Sequence, residues 1–104
     1  MPTESALDAL RALAQESRLA AFRQLVQAGS AGLSVGELRE RIGIPAATLS
    51  AHLNQLRSAG LVSDVREGRV IRVRADVARM HALLAYLSEN CTTSSVVDQG
   101  ADDR

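Results

Sequence analysis

The chain has 104 residues, no net formal charge and 46% hydrophobic residues, enough for one domain with a modest core. No apolar run is long enough to span a membrane, and the N-terminus carries Glu4 and Asp8 where a secretory signal would be apolar. Cys91 is the single cysteine, which excludes an internal disulfide; together these features lead us to expect a cytoplasmic protein.

Phe22 and Tyr86 are the only aromatic residues, so the core must be built from Leu, Val, Ile and Ala. Residues 1 to 4 read as a frayed start. From about Ser5 a helix carries Leu7, Leu10, Leu13 and Ala14 on one side. Gln15-Glu16-Ser17 interrupts it, and Ser17 is placed to cap a second helix running to about Ala28, with Leu19, Phe22, Leu25 and Val26 inward. Gly29-Ser30-Ala31-Gly32 reads as a loop.

The stretch from Ser34 to Arg74 organises the rest. Ser34-Val35-Gly36-Glu37 is a capping box, in which Ser34 caps the third residue of the helix and Glu37 reaches back to the cap. Val35, Leu38 and Ile42 form one helical stripe, and Gly43 suits the left-handed residue that ends it. Pro45 is expected at the first position of the next helix. Leu49, Leu53 and Leu56 are its buried stripe, and Gly60 stops it. Its other face carries Ala47, Thr48, Ser50, Ala51, His52, Asn54, Gln55 and Arg57, small or polar residues that allow close approach to base edges. Two short helices joined by a glycine-containing turn have the helix-turn-helix pattern.

A two-stranded hairpin follows, with Leu61, Val62 and Val65 before Arg66-Glu67-Gly68-Arg69 and Val70 to Arg74 after it. Arg66, Arg69, Arg72 and Arg74 crowd this element, which reads as a wing whose arginines meet phosphate or enter the minor groove. All 12 basic residues are arginine, and from 39 to 79 eight of them stand against four acids, a local net of +4. The competing reading is a merely solvated basic face. The last helix should run from Asp76, its N-cap, to about Asn90, with Val77, Met80, Leu83, Leu84 and Leu87 as a wide apolar stripe. Residues 92 to 104 are polar and acidic without period, and disorder is expected there. The domain is thus residues 1–91, mostly α with a small β-hairpin: a winged helix-turn-helix of five helices plus a wing.

Leu13-Ala14-Gln15-Glu16-Ser17-Arg18-Leu19, Ile44-Pro45-Ala46-Ala47-Thr48-Leu49-Ser50-Ala51-His52-Leu53, Ala59-Gly60-Leu61-Val62 and Arg66-Glu67-Gly68-Arg69 resemble, in order and spacing, the ArsR/SmtB family of bacterial winged-helix repressors. Leu83 to Cys91 resembles its arsenic-responsive branch. The resemblance implies a homodimer through the first and last helices, although the same leucines could instead close the monomer core. A two-fold dimer would set its two recognition helices about 34 Å apart and read an inverted repeat on double-stranded DNA.

The candidate DNA-binding residues are Thr48, Ser50, His52, Asn54, Arg57, Arg66 and Arg69. Two of the family's metal sites do not carry over: Leu33 to Leu38 holds no thiol, and His81 has Arg79 two residues before it and no second histidine after. Cys91 remains as an incomplete metal site, with trivalent arsenic as the one cofactor the resemblance implies. It reads either as a thiol sensor or as a surface cysteine without a role. Catalysis is not expected, since Ser50 and His52 are two apart on a helix and do not face each other. The alternative from another class is a winged-helix module that holds a partner protein.

Overall fold

The computed structural model describes residues 1–91. The expected tail, 92 to 104, lies outside the described residues. Five helices and three strands follow in the order α1 (Thr3–Leu13), α2 (Glu16–Ala28), β1 (Leu33–Ser34), α3 (Val35–Ile42), α4 (Ala46–Ser58), β2 (Val62–Glu67), β3 (Val70–Ala75) and α5 (Val77–Ser88). A single 3-10 turn, Gly29–Ala31, follows α2. Among the described residues no helix is long and apolar enough to cross a membrane.

The core is aliphatic. Leu25, Leu38, Leu49, Leu53, Leu56, Leu61 and Val73 are its largest fully buried side chains, with Phe22 beside them. α2 is the central helix, in contact with α1, α3, α4 and β3. The stripe of α4 falls where its spacing requires. So does that of α3, where Leu38 is buried and Val35 and Ile42 pack against the core.

α1 turns a different side inward from the one its leucines mark. Ala6, Ala9 and Ala12 are buried, while Leu7 and Leu10 are 41% and 38% exposed. Small side chains let α1 lie close to its neighbours, and the larger ones are left outside. Leu19, expected inward, is exposed as well. On α5 only Leu83 is buried; Leu84 and Leu87 stand 55% and 56% exposed.

The hairpin is part of a three-stranded antiparallel sheet, ordered β1-β3-β2. The two-residue strand β1 is an addition to the expected pair, with Leu33 opposite Val73 and Ser34 opposite Arg72. Gly32 makes this closeness possible. Its φ is 67°, and a Cβ there would strike the Val73 carbonyl.

Local signals decide most helix ends, with three differences. α1 starts at Thr3, so Thr3 and Glu4 are helical rather than frayed, and Thr3 Oγ1 hydrogen-bonds the Tyr86 hydroxyl on α5. α2 is capped by Gln15, whose Oε1 accepts the Arg18 N–H at 2.8 Å, and Ser17 lies inside the helix. The longer side chain of Gln15 reaches the third helical N–H from outside. Pro45 is the N-cap of α4, with φ −60° and ψ 150°, one place before the expected position. Its ring fixes a φ that suits both places, so ψ makes the choice. Its carbonyl accepts the Leu49 N–H at 2.9 Å.

Candidate nucleic-acid interface

The capping box that opens α3 is complete: Ser34 Oγ accepts the Glu37 N–H at 3.1 Å and Glu37 Oε1 accepts the Ser34 N–H at 2.9 Å. Gly43, with φ 75° and ψ 35°, ends the helix in the left-handed conformation. The chain turns through Gly43 and Ile44 and enters α4 at once. The far end of α4 closes as a Schellman motif, in which Leu61 N–H donates to the Leu56 carbonyl at 3.0 Å and Gly60 N–H to the Arg57 carbonyl at 2.9 Å. The Arg79 guanidinium of α5 lies over Gly60 and donates from Nε to the Ala59 carbonyl at 3.4 Å. A cation at this end complements the helix dipole.

With Leu49, Leu53 and Leu56 inward, α4 presents Ala46, Ala47, Thr48, Ser50, Ala51, Asn54 and Gln55 to solvent. This face holds no carboxylate and no large apolar group. Short side chains let backbone and hydroxyls come close to a groove edge.

His52 is placed elsewhere. It is half-buried, and its Nδ1 lies 3.3 Å from Nη1 of Arg18. Arg18 also donates from Nε to the Ala12 carbonyl at 2.7 Å. The ring therefore joins α4 to the α1–α2 junction. Sequence alone offers no signal for this contact, because the partners are 34 residues apart.

The arginines divide into two groups. Arg57 is held within the fold: its Nε and Nη2 reach Asp64 Oδ1 at 3.1 and 3.0 Å, and Nη1 reaches Asn54 Oδ1 at 2.9 Å. The pair ties α4 to β2. Asn54 is thereby engaged through its oxygen. Arg72, read as a wing cation, folds back over β1. It donates to the carbonyls of Ala31 at 2.8 Å and Gly32 at 3.1 Å and pairs with Glu37 at 3.3 Å. The hydrogen bond from the Ser34 backbone, and behind it the Arg72 charge, hold the Glu37 carboxyl below the usual carboxylate range.

Arg66 and Arg69 are free by comparison. Arg69 is the second residue of a two-residue turn, Gly68-Arg69, in which Gly68 takes φ 64° at the position a type II′ hairpin needs, and Arg66 stands on β2 one residue before the closing pair Glu67–Val70. Arg66 touches only the Gly68 carbonyl of its own turn, at 3.5 Å, and both side chains are exposed. Among the described residues neither has a carboxylate partner, and Arg74 is likewise exposed. A polar helix face thus stands beside a hairpin tipped with unpaired guanidinium groups.

Cys91 is exposed, three residues past the end of α5. Its N–H donates to the Ser88 carbonyl at 3.0 Å, after Asn90 turns the chain with φ 63°. Among the described residues no three His, Cys, Asp or Glu side chains are grouped to hold a metal ion.

Known proteins share this arrangement. The family described as "Helix-turn-helix domain" matches residues 13–65. HTH-type transcriptional regulator YgaV of Escherichia coli (strain K12) is 32% identical over 84 residues, 81% of this chain and 83% of that protein. The homodimeric winged helix-turn-helix DNA-binding domain of Mb0332 from Mycobacterium bovis, described as a possible ArsR-family transcriptional regulator, is 31% identical. It superimposes with a TM-score of 0.66 over 86% of this chain and 88% of its own. This chain belongs to the ArsR family of winged helix-turn-helix transcriptional regulators. An ArsR-like regulator from Rhodococcus sp. RHA1, 27% identical, superimposes with a TM-score of 0.75 over 98% of this chain and 97% of its own. These relatives are described as transcriptional regulators, not enzymes, and the matched helix-turn-helix domain spans α2, α3 and α4.

Proposed function

We propose that the protein is a homodimeric repressor that binds an inverted-repeat operator and releases it when a thiol-reactive metalloid such as arsenite binds. The observation that carries the DNA half is the carboxylate-free outer face of α4 beside the unpaired Arg66 and Arg69. In this reading Thr48 and Ser50 approach base edges, Asn54 turns its amide outward, and Arg66 and Arg69 meet phosphate or the minor groove. His52 and Arg57 act from behind, setting the pose of α4 through Arg18 and Asp64.

Dimerisation is supported by Leu7 and Leu10 on α1 and Leu84 and Leu87 on α5, exposed on two helices that touch each other. Burying them would remove four large apolar side chains from water, about 1.5–3 kcal/mol each when fully covered. The Mycobacterium bovis relative is homodimeric, which favours the same assembly here. For the inducer, one exposed thiol per chain is too few for trivalent arsenic, which takes two or three thiolates. The reading therefore requires the Cys91 thiols of two protomers to share the ion.

The test is fluorescence anisotropy of a labelled duplex from upstream of the coding sequence, titrated with protein under reducing conditions and then with arsenite. Tight, salt-sensitive binding that arsenite reverses, and that Cys91→Ser makes arsenite-resistant, is the expected result. Binding indifferent to arsenite removes the inducer and leaves the repressor. Equal binding to a scrambled duplex, or a purely monomeric native mass at micromolar concentration, removes the palindrome. Loss of DNA binding altogether would favour a protein-holding winged helix.

A further inference from the structure

We propose that the cleft between α1 and α4 is an oxyanion site, built to take one phosphate or carboxylate group. The cleft has a volume of about 360 Å³ and is lined by Asp8 and Arg11 of α1, Arg18 of α2, and Gln55 and Ser58 of α4, with two alanines beneath. None of the residues lining it belongs to the wing or to α5.

Arg18 is the centre of the argument. It is half-buried and fixed at two points, with Nε on the Ala12 carbonyl at 2.7 Å and Nη1 3.3 Å from His52 Nδ1. Neither partner is a carboxylate. Among the described residues no carboxylate comes within ion-pair distance of it. A guanidinium held rigid and left without a counter-charge is pre-organised for an oxyanion, since little freedom is lost when one binds. Arg57 and Arg72 show the contrast, because each carries its own carboxylate.

The surroundings add donors. The Gln55 amide and the Ser58 hydroxyl are exposed on the same cleft, and Arg11 brings a second guanidinium. Asp8 is the one acid lining it. It lies 3.6 Å from Arg11, with both side chains well exposed at 64% and 70%. Two guanidinium groups and one carboxylate leave the cleft a net positive charge.

The oxyanion has two sources with the same chemistry. Gln55 and Ser58 border the exposed face of α4, so a phosphodiester of bound DNA is one. A free small anion is the other, and it would join α1 to α4 and so connect the outer helices to the reading helix. Only the DNA source rests on the function proposed above.

The experiment titrates the full chain with inorganic phosphate at fixed ionic strength, with chloride as control, following the Gln55 side-chain amide by NMR and heat by calorimetry. Saturable binding of phosphate and not chloride is expected. Asp8→Asn should tighten it and Arg11→Gln weaken it, each by about three- to tenfold from the change of one nearby charge. Both positions are exposed, so folding is not at stake, and Arg23→Gln outside the cleft should do neither. The same variants are then titrated onto duplex DNA at several salt concentrations. A fall in salt slope of about one unit for Arg11→Gln alone assigns the site to a DNA phosphate. An unchanged slope with phosphate still bound assigns it to a free anion. If phosphate behaves as chloride and the slope is also unchanged, the site is overturned. Wild-type protein that binds phosphate but no DNA overturns the regulator reading and leaves this one standing.

Discussion

The tip of the hairpin and the stretch where β1 joins it, the root of its free part, use the same residue in opposite ways. At the tip, Arg66 and Arg69 are exposed and have no carboxylate partner among the described residues. At the root, Arg72 spends its donors on the Ala31 and Gly32 carbonyls and on Glu37, and Arg57 nearby is closed by Asp64. A count of basic residues along the chain adds these together. Only the paired partners separate cations that hold the fold from cations left for a ligand. The tip should therefore govern affinity and the root stability, and each can be perturbed alone.

The largest expected effect is at the root. Gly32→Ala sets a Cβ against the Val73 carbonyl and forces an alanine to φ 67°, so it should cost about 3 kcal/mol in urea unfolding. A loss under half that would mean β1 can part from β3 cheaply. At the tip, Arg66→Ala with Arg69→Ala should weaken duplex binding about 10- to 100-fold and reduce the salt slope by about two, with the unfolding midpoint unmoved. An unchanged slope would break the comparison from that side. Arg72→Ala should do the reverse, lowering stability by about 1–2 kcal/mol as two carbonyls lose their donor, with little change in salt slope.

The smallest effect concerns Glu37. Its carboxyl titrates below the ordinary range in the folded chain, so its ionised form stabilises the fold above that range. That contribution is lost as pH falls through the lowered value. Glu37→Gln should be slightly less stable than wild type near neutrality, and the two unfolding curves should converge in acid. A gap that persists in acid would assign the loss to something other than charge.

Much of this architecture is readable from neighbours in sequence. Ser34 with Glu37, Gly43, Gly68 and the leucines of α4 each announce a local geometry, and each adopts it. What was not readable depends on distant partners or on small differences. A two-residue strand such as β1 has no period to detect. Alanine favours neither side of a helix, so the buried Ala6, Ala9 and Ala12 gave no warning that Leu7 and Leu10 would stay outside. Asp76 signals itself as a cap by accepting the Arg79 N–H, as its position suggests, whereas Gln15 displaced the more conventional Ser17. In the interface, the small and polar face of α4 was legible from spacing. The inward attachment of His52 and the closure of Arg57 by Asp64 were not.

One residue links the two reading elements. Ser34 ends β1, opposite Arg72 on the central strand, and is also the N-cap of α3. The root of the wing and the first helix of the helix-turn-helix therefore share a backbone joint and cannot be lengthened independently. The turn at Gly68-Arg69 has no such joint. In the proposed reading, insertions there would extend the reach along the DNA and leave the frame of α4 untouched, so the tip is where variation in length and sequence is tolerated at least structural cost.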